Sequence, residues 1–280
     1  MPRASLVAFG TAALLGAVAS LPAQDEAGPS RRSKTAREIA QGVRVKSADG
    51  ATAFPIMAEP IYRFEDPART FSGGAVWAYG KTGRPAALVT IALEKRPEGG
   101  VQWVEELTSL SSGAIQADVQ TPQRLWRWEP PRAGFTVAAI APASAPGEDE
   151  RKRLRQMREL ALRFKAYEFW KPARAASAER YELRLLPQPV HRYRDPSAGI
   201  IDGGIFLFAY GQNPEVALVI EARMEGTAMP AWTYGLGRLA AAKLLVRLDD
   251  QEVANSERPV GPFLKSSYEA LALPADGQEE

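Results

Sequence analysis

The sequence predicts an α+β protein of two tandem related domains, each a helix packed on a curved antiparallel β-meander. Three observations predict it. The 280-residue chain aligns with itself without a gap at an offset of 129, residues 60–119 against 189–248. Ahead of each aligned block the apolar residues recur at the helical period of 3.6, and inside it the period falls to 2. Between the blocks, residues 141–150 are rich in Pro, Ala and Gly and end in Glu148, Asp149 and Glu150, the composition of an exposed linker.

The chain opens on an address. After Arg3, residues 4–23 carry no charge and are mostly Ala, Leu, Val and Gly, with a small residue before Gln24. That is the pattern of a secretory signal peptide, so a periplasmic or secreted protein is expected, with no membrane insertion after cleavage. A retained anchor is the competing reading, because the run approaches spanning length; its Ala and Gly content makes it a weak one. Residues 24–34 read as a polar, disordered segment.

The first domain is expected over 35–140. Thr35 caps a helix, with Glu38 three residues on and Ala36, Ile39, Ala40 and Val43 facing inward. Strands follow at 61–64, 75–79, 87–94, 101–110 and 114–119. The second domain is expected over 151–273. Its helix places Leu154, Met157, Ala161, Phe164 and Glu168 on one face and Arg and Lys on the other. The acids at 148–150 suit the positive end of the helix dipole, and Trp170 followed by Lys171 and Pro172 ends the helix. Strands follow at 181–186, 203–210, 216–224, 232–241 and 243–248, separated by turn residues; 232–241 also fits a helix. Residues 274–280 form a polar tail. Identities in the aligned blocks include Pro60/Pro189, Arg63/Arg192, Asp66/Asp195, Gly74/Gly203 and Trp103/Trp232. They point to an ancient duplication.

Composition excludes several functions. Hydrophobic residues at 45% and charged residues at 24% are ordinary for a globular chain, which rules out wholesale disorder. A net charge of +2 is too even to draw nucleic acid or an anionic membrane by field alone. With no cysteine there is no disulfide, thiolate metal site or cysteine nucleophile, and His191 is the only histidine.

The remaining residues offer few constellations. Arg63 with Asp66, and Arg192 with Asp195, form two related pairs in which Arg can grip an anionic ligand. The same Asp-Pro steps also serve as turn punctuation. Trp126 and Trp128 share one face of a strand, where they either stack a sugar or partner, or fill a core. These six residues are the candidate ligand-binding set. His191, with Asp195 or Asp202 to orient it, is a possible general base, but no Gly-x-Ser-x-Gly turn accompanies it. No metal-binding loop or His pair is present, and Gly73-Gly74 and Gly203-Gly204 read as strand bulges rather than phosphate cradles. No cofactor or metal is expected.

The leading functional expectation is an exported, non-catalytic binding or scaffold module. Its partner would be an extracytoplasmic polymer, a hydrophobic ligand or a protein. A carboxylate-based hydrolase using acids among Asp66, Glu94, Asp195 and Glu221 is one alternative. A carrier holding a hydrophobic ligand between helix and sheet is the other, and a large apolar pocket would favour it.

Overall fold

The computed structural model describes residues 28–65, 71–96, 100–120, 125–130, 134–170, 177–224, 226, 229–259 and 266–274. Helix α1 (Gly28–Gln41) leads into β1 (Val43–Ser47), β2 (Ala53–Phe54), β3 (Tyr62–Phe64), β4 (Phe71–Tyr79), β5 (Ala87–Lys95), β6 (Val101–Ser109), β7 (Ile115–Gln120), β8 (Leu125–Trp128) and β9 (Ala138–Ala139). Helix α2 (Glu150–Ala161) leads into β10 (Phe164–Trp170), β11 (Glu179–Leu185), β12 (His191–Asp195), a 3-10 turn at Pro196–Ala198, β13 (Ile200–Tyr210) and β14 (Asn213–Arg223). The chain closes with β15 (Ala231–Arg238), β16 (Lys243–Leu248), β17 (Gln251–Ser256) and β18 (Tyr268–Pro274).

This corrects the α+β expectation. Among the described residues 55% lie in strands and 12% are helical, in two α-helices, and the sheet curls into a half-barrel. The protein is mostly β and is not a pair of helix-on-meander domains. Part of the reason is a coincidence of periods. Phe164 and Glu168 continue the i, i+3, i+4 pattern of Met157 and Ala161, yet with Ala166 they also read as period 2. The chain takes the second reading: α2 stops at Ala161, and Phe164, Ala166 and Glu168 are buried along β10 while Lys165 is exposed. β10 then pairs along its length with β16 on one side and β11 on the other. Val43, expected on the first helix, likewise begins β1.

Connectivity departs from the expectation too. β18 returns to the first block and pairs with β6, setting Leu271 opposite Glu105, so it closes one edge of the five-stranded sheet β18-β6-β5-β4-β3. A four-stranded sheet runs β2-β1-β7-β8. A nine-stranded one runs β17-β16-β10-β11-β13-β14-β15-β9, with β12 on β13. The offset of 129 survives as strand register. Leu93 faces Trp103 as Ala222 faces Trp232, and Arg63 faces Ala75 as Arg192 faces Gly204.

Burial explains the long apolar runs. Inward residues of β4–β6, including Trp77, Val89, Ile91 and Leu107, pack under α1 with Ala36 and Ala40. Phe206, Leu218 and Ile220 pack under α2 with Met157, Ala161 and Phe164. The opposite faces meet each other, Val76, Ala78 and Leu88 joining Ile205, Leu207 and Val219 in a third cluster. β5 and β14 are therefore buried on both faces, and their sequences read as continuous apolar stretches rather than alternations. The stretch expected as a linker is tied down: Gly147 N–H donates to Gln156 Oε1 at 2.8 Å and Gln156 Nε2 to the Ala145 carbonyl at 2.9 Å. Asp149 caps α2 by accepting from Lys152 N–H at 2.7 Å.

Candidate functional site

A cavity of about 360 Å3 lies between α1 and the concave face of β4–β6. Its walls are Ala36 from α1, Ala75 and Trp77 from β4, Leu93 from β5 and Trp103 from β6. Arg32, Arg63 and Glu65 stand among its lining, as does Gln212 from the β13–β14 turn.

The second block shows why this space is open. Arg32, Ala36 and Ala40 correspond on α1 to Arg153, Met157 and Ala161 on α2, the last two pairs buried alike. Met157 fills the space under α2, its Sδ lying 3.3 Å from where a Cβ on Gly204 would stand. Ala36 is three heavy atoms shorter and leaves that space empty under α1. Gly74 keeps the floor thin: a Cβ there would come within 2.7 Å of the Ile91 carbonyl oxygen. On the wall, Trp77 takes the register position of Phe206. Trp77 is 1% exposed and its indole N–H has no partner among the described residues. A buried unpaired donor is costly, so this N–H is suited to a ligand acceptor.

At the rim, Arg63 Nη2 and Arg37 Nη2 each donate to Glu59, both at 2.7 Å. The Arg37 guanidinium holds the Glu59 carboxyl below its usual range. Along the same inward face of β6, Glu105 follows Trp103. It is fully buried, neither carboxyl oxygen has a partner among the described residues, and burial pushes its pKa up to about 8. Glu269 on β18 is also buried, and desolvation raises it to about 7.

The residues singled out in the sequence are placed as follows. Arg63 lines the cavity, and Asp66 lies outside the described residues. Arg192 pairs not with Asp195 but with Asp202, at 2.7 Å, and Arg153 reaches the same carboxylate at 3.0 Å. Asp195 is turned to local work, accepting from Ala198 N–H at 3.2 Å at the head of the 3-10 turn. Trp128 is fully buried and donates its indole N–H to the Ser266 carbonyl at 2.9 Å, while Trp126 is half-buried against the same core. His191 stacks on Tyr193, and burial lowers its pKa. Glu221 is 1% exposed and held by Arg84, Arg223 and the Tyr193 hydroxyl. Neither Glu94, Asp195 nor Glu221 lines the cavity. Among the described residues no group of three or more His, Cys, Asp and Glu is placed to hold a metal ion, and no helix is long and apolar enough to cross a membrane.

Sequence reasoning missed Arg32, Trp77 and Leu93 as site residues. The available signal was Trp77 in place of Phe206 between aligned positions; Ala36 and Met157 lie ahead of the aligned blocks and correspond only through the two helices. Reading it required the strand register, which only the pairing supplies.

A second cavity, of about 320 Å3, lies between β15 and β16–β17, with Tyr234, Leu236, Val246 and Val253 on its walls. Its charged residue, Arg238, is committed to the carbonyls of Ala240, Ala242, Ser256 and Glu257. No family model, curated protein or solved structure matches this chain.

Proposed function

We propose that the protein is an exported, non-catalytic binding module that holds a small apolar ligand in the cavity beneath α1. The observation that carries this reading is the contrast between the two helices: Met157 fills the space under α2, and Ala36 leaves a cavity of about 360 Å3 under α1. That volume lies in the range of small-molecule sites, which are mostly apolar with a few placed polar groups. Here the apolar part is Ala36, Ala75, Leu93 and Trp103, and Trp77 adds to the lining a buried indole N–H that has no partner among the described residues. Two of the four acids considered for hydrolysis are committed to structural work: Glu221 is held by two arginines and a tyrosine, and Asp195 by its own turn.

The test uses a neutral apolar fluorophore, N-phenyl-1-naphthylamine, titrated into the full chain. Saturable binding at one probe per chain is expected, with quenching of tryptophan emission by energy transfer. Ala36→Met supplies the side chain found under α2 and weakens binding at least about tenfold, without lowering the melting temperature, because the space it enters is open. Unsaturable binding, or equal affinity in the variant, overturns the reading.

A further inference from the structure

We propose that the ligand of this cavity is an amphipathic oxyanion, its carboxylate or phosphate head lying between Arg32 and Arg63 as the Asp202 carboxylate lies between Arg153 and Arg192. The inference rests on the binding reading above and adds the chemical class of the head group.

The protein carries its own template for the bound state. In the second block, Arg153 Nε and Arg192 Nη2 converge on one oxygen of Asp202, at 3.0 and 2.7 Å, and Asp202 is 5% exposed. Each member of that triad has a positional counterpart at the cavity. Arg32 precedes Ala36 by four residues on α1, as Arg153 precedes Met157 on α2. Arg63 faces Ala75 across β3–β4, as Arg192 faces Gly204 across β12–β13. The third position differs. β4 and β13 carry a register shift at the same place, one residue before Gly73 and one before Asp202. Where β13 has an acid, β4 has a glycine. Gly73 has φ +143°, a conformation that side-chain-bearing residues rarely adopt, so no carboxylate comes from this position itself, and the nearest acid is Glu65, whose Cγ lies 3.6 Å from where a Cβ on Gly73 would stand. Both arginines and the space are retained, and the acid and the apolar plug are the two parts removed.

The charges agree. The charged residues lining the cavity are Arg32, Arg63 and Glu65, an excess of one positive charge. Glu59 occupies Arg63 through Nη2, leaving the other donors of a five-donor guanidinium. Arg32 has no hydrogen-bond or ion-pair partner among the described residues, whereas its counterpart Arg153 is buried and fully engaged. An anion with an apolar tail satisfies the rim and the wall at once, and an acceptor along the tail meets the Trp77 N–H.

Isothermal titration of the full chain with decanoate, decyl phosphate and decanol separates the possibilities. Decanoate or decyl phosphate is expected to bind roughly tenfold or more tightly than decanol, and more weakly as salt rises. Arg32→Gln lowers anion affinity about tenfold and leaves decanol affinity unchanged, while Ala36→Met abolishes binding of all three. Preference for decyl phosphate over decanoate assigns the oxyanion to a phosphate, and the reverse to a carboxylate. Equal binding of decanol and both anions, insensitive to Arg32→Gln, overturns the oxyanion and leaves the binding reading standing. If none of the three binds, both fall.

Discussion

Glu105 is the residue whose environment departs furthest from its chemistry. It sits on β6 between Trp103 and Leu107 on the inward face, with no described partner for either oxygen, and burial raises its pKa from 4.5 to about 8. The folded protein therefore keeps this proton between roughly pH 4.5 and 8, where the unfolded chain has released it. The raised folded pKa means that this contribution is most favourable below pH 4.5 and is lost progressively up to pH 8. The loss is on the order of 5 kcal/mol at most, from about 1.36 kcal/mol per unit. Glu105→Gln keeps the shape and removes the titration, so the wild-type minus variant difference in urea-melt stability should decline from pH 5 to pH 8. A flat difference would show that the carboxyl is solvated. Its inward position was not legible in the sequence, where the apolar Val104 stands between Trp103 and the charged Glu105 and breaks the alternation. Its burial was not legible either, because it depends on long-range packing, including the pairing of β6 with both β5 and β18.

At the scale of elements, the junction of α2 with β10 teaches most. The acids at 148–150, read as suiting the positive end of the helix dipole, do mark the start of α2, and the structure adds that Asp149 caps it by accepting from Lys152 N–H. The end was misread, because Phe164 and Glu168 satisfy both the helical and the strand period. Long-range pairing of Phe164 with Leu248 decided between them, and nothing local encodes that contact. Phe164 is nevertheless buried as expected, at 3% exposure, beside Leu218 and Trp232 and with its ring 5.0 Å from that of Tyr234. Phe164→Ala should cost about 3–5 kcal/mol through the cavity it leaves. Arg158→Ala, on the exposed face of α2, should cost no more than about 0.5 kcal/mol. Asp149→Ala should fall between them, near 1 kcal/mol, as a lost N-cap does. Urea midpoints for the three variants rank them. Equal midpoints for the Phe164 and Arg158 variants would mean that β10 is not seated in this core.

The whole molecule is joined through the backs of its sheets. Val76, Ala78 and Leu88 pack on Ile205, Leu207 and Val219, a buried apolar contact that neither aligned block announces by itself, because it consists of outward positions on both. One polar cluster crosses this contact. Arg84, from the β4–β5 turn, reaches Glu221 on β14 at 3.0 Å and also donates to the Leu110 carbonyl at 2.9 Å. Arg223 and the Tyr193 hydroxyl hold the same carboxylate at 2.8 and 2.7 Å. Glu221 was weighed in the sequence as a catalytic acid. Its place in the fold makes it the anchor of the contact instead, since a carboxylate at 1% exposure that accepts from three partners has no open oxygen left for a substrate. A shared apolar core of this kind predicts one cooperative transition rather than two, so tryptophan fluorescence and far-ultraviolet circular dichroism should trace the same urea curve. Glu221→Gln keeps the side-chain shape but leaves Arg84, 10% exposed, facing an uncharged amide. Removing one partner of a buried pair costs about 3–5 kcal/mol, because the remaining charge stays desolvated. Arg84→Met in the same chain should recover part of that loss, the double variant costing less than the two single ones added. Additive costs would place Arg84 and Glu221 in separate environments and remove this polar link between the two sheets.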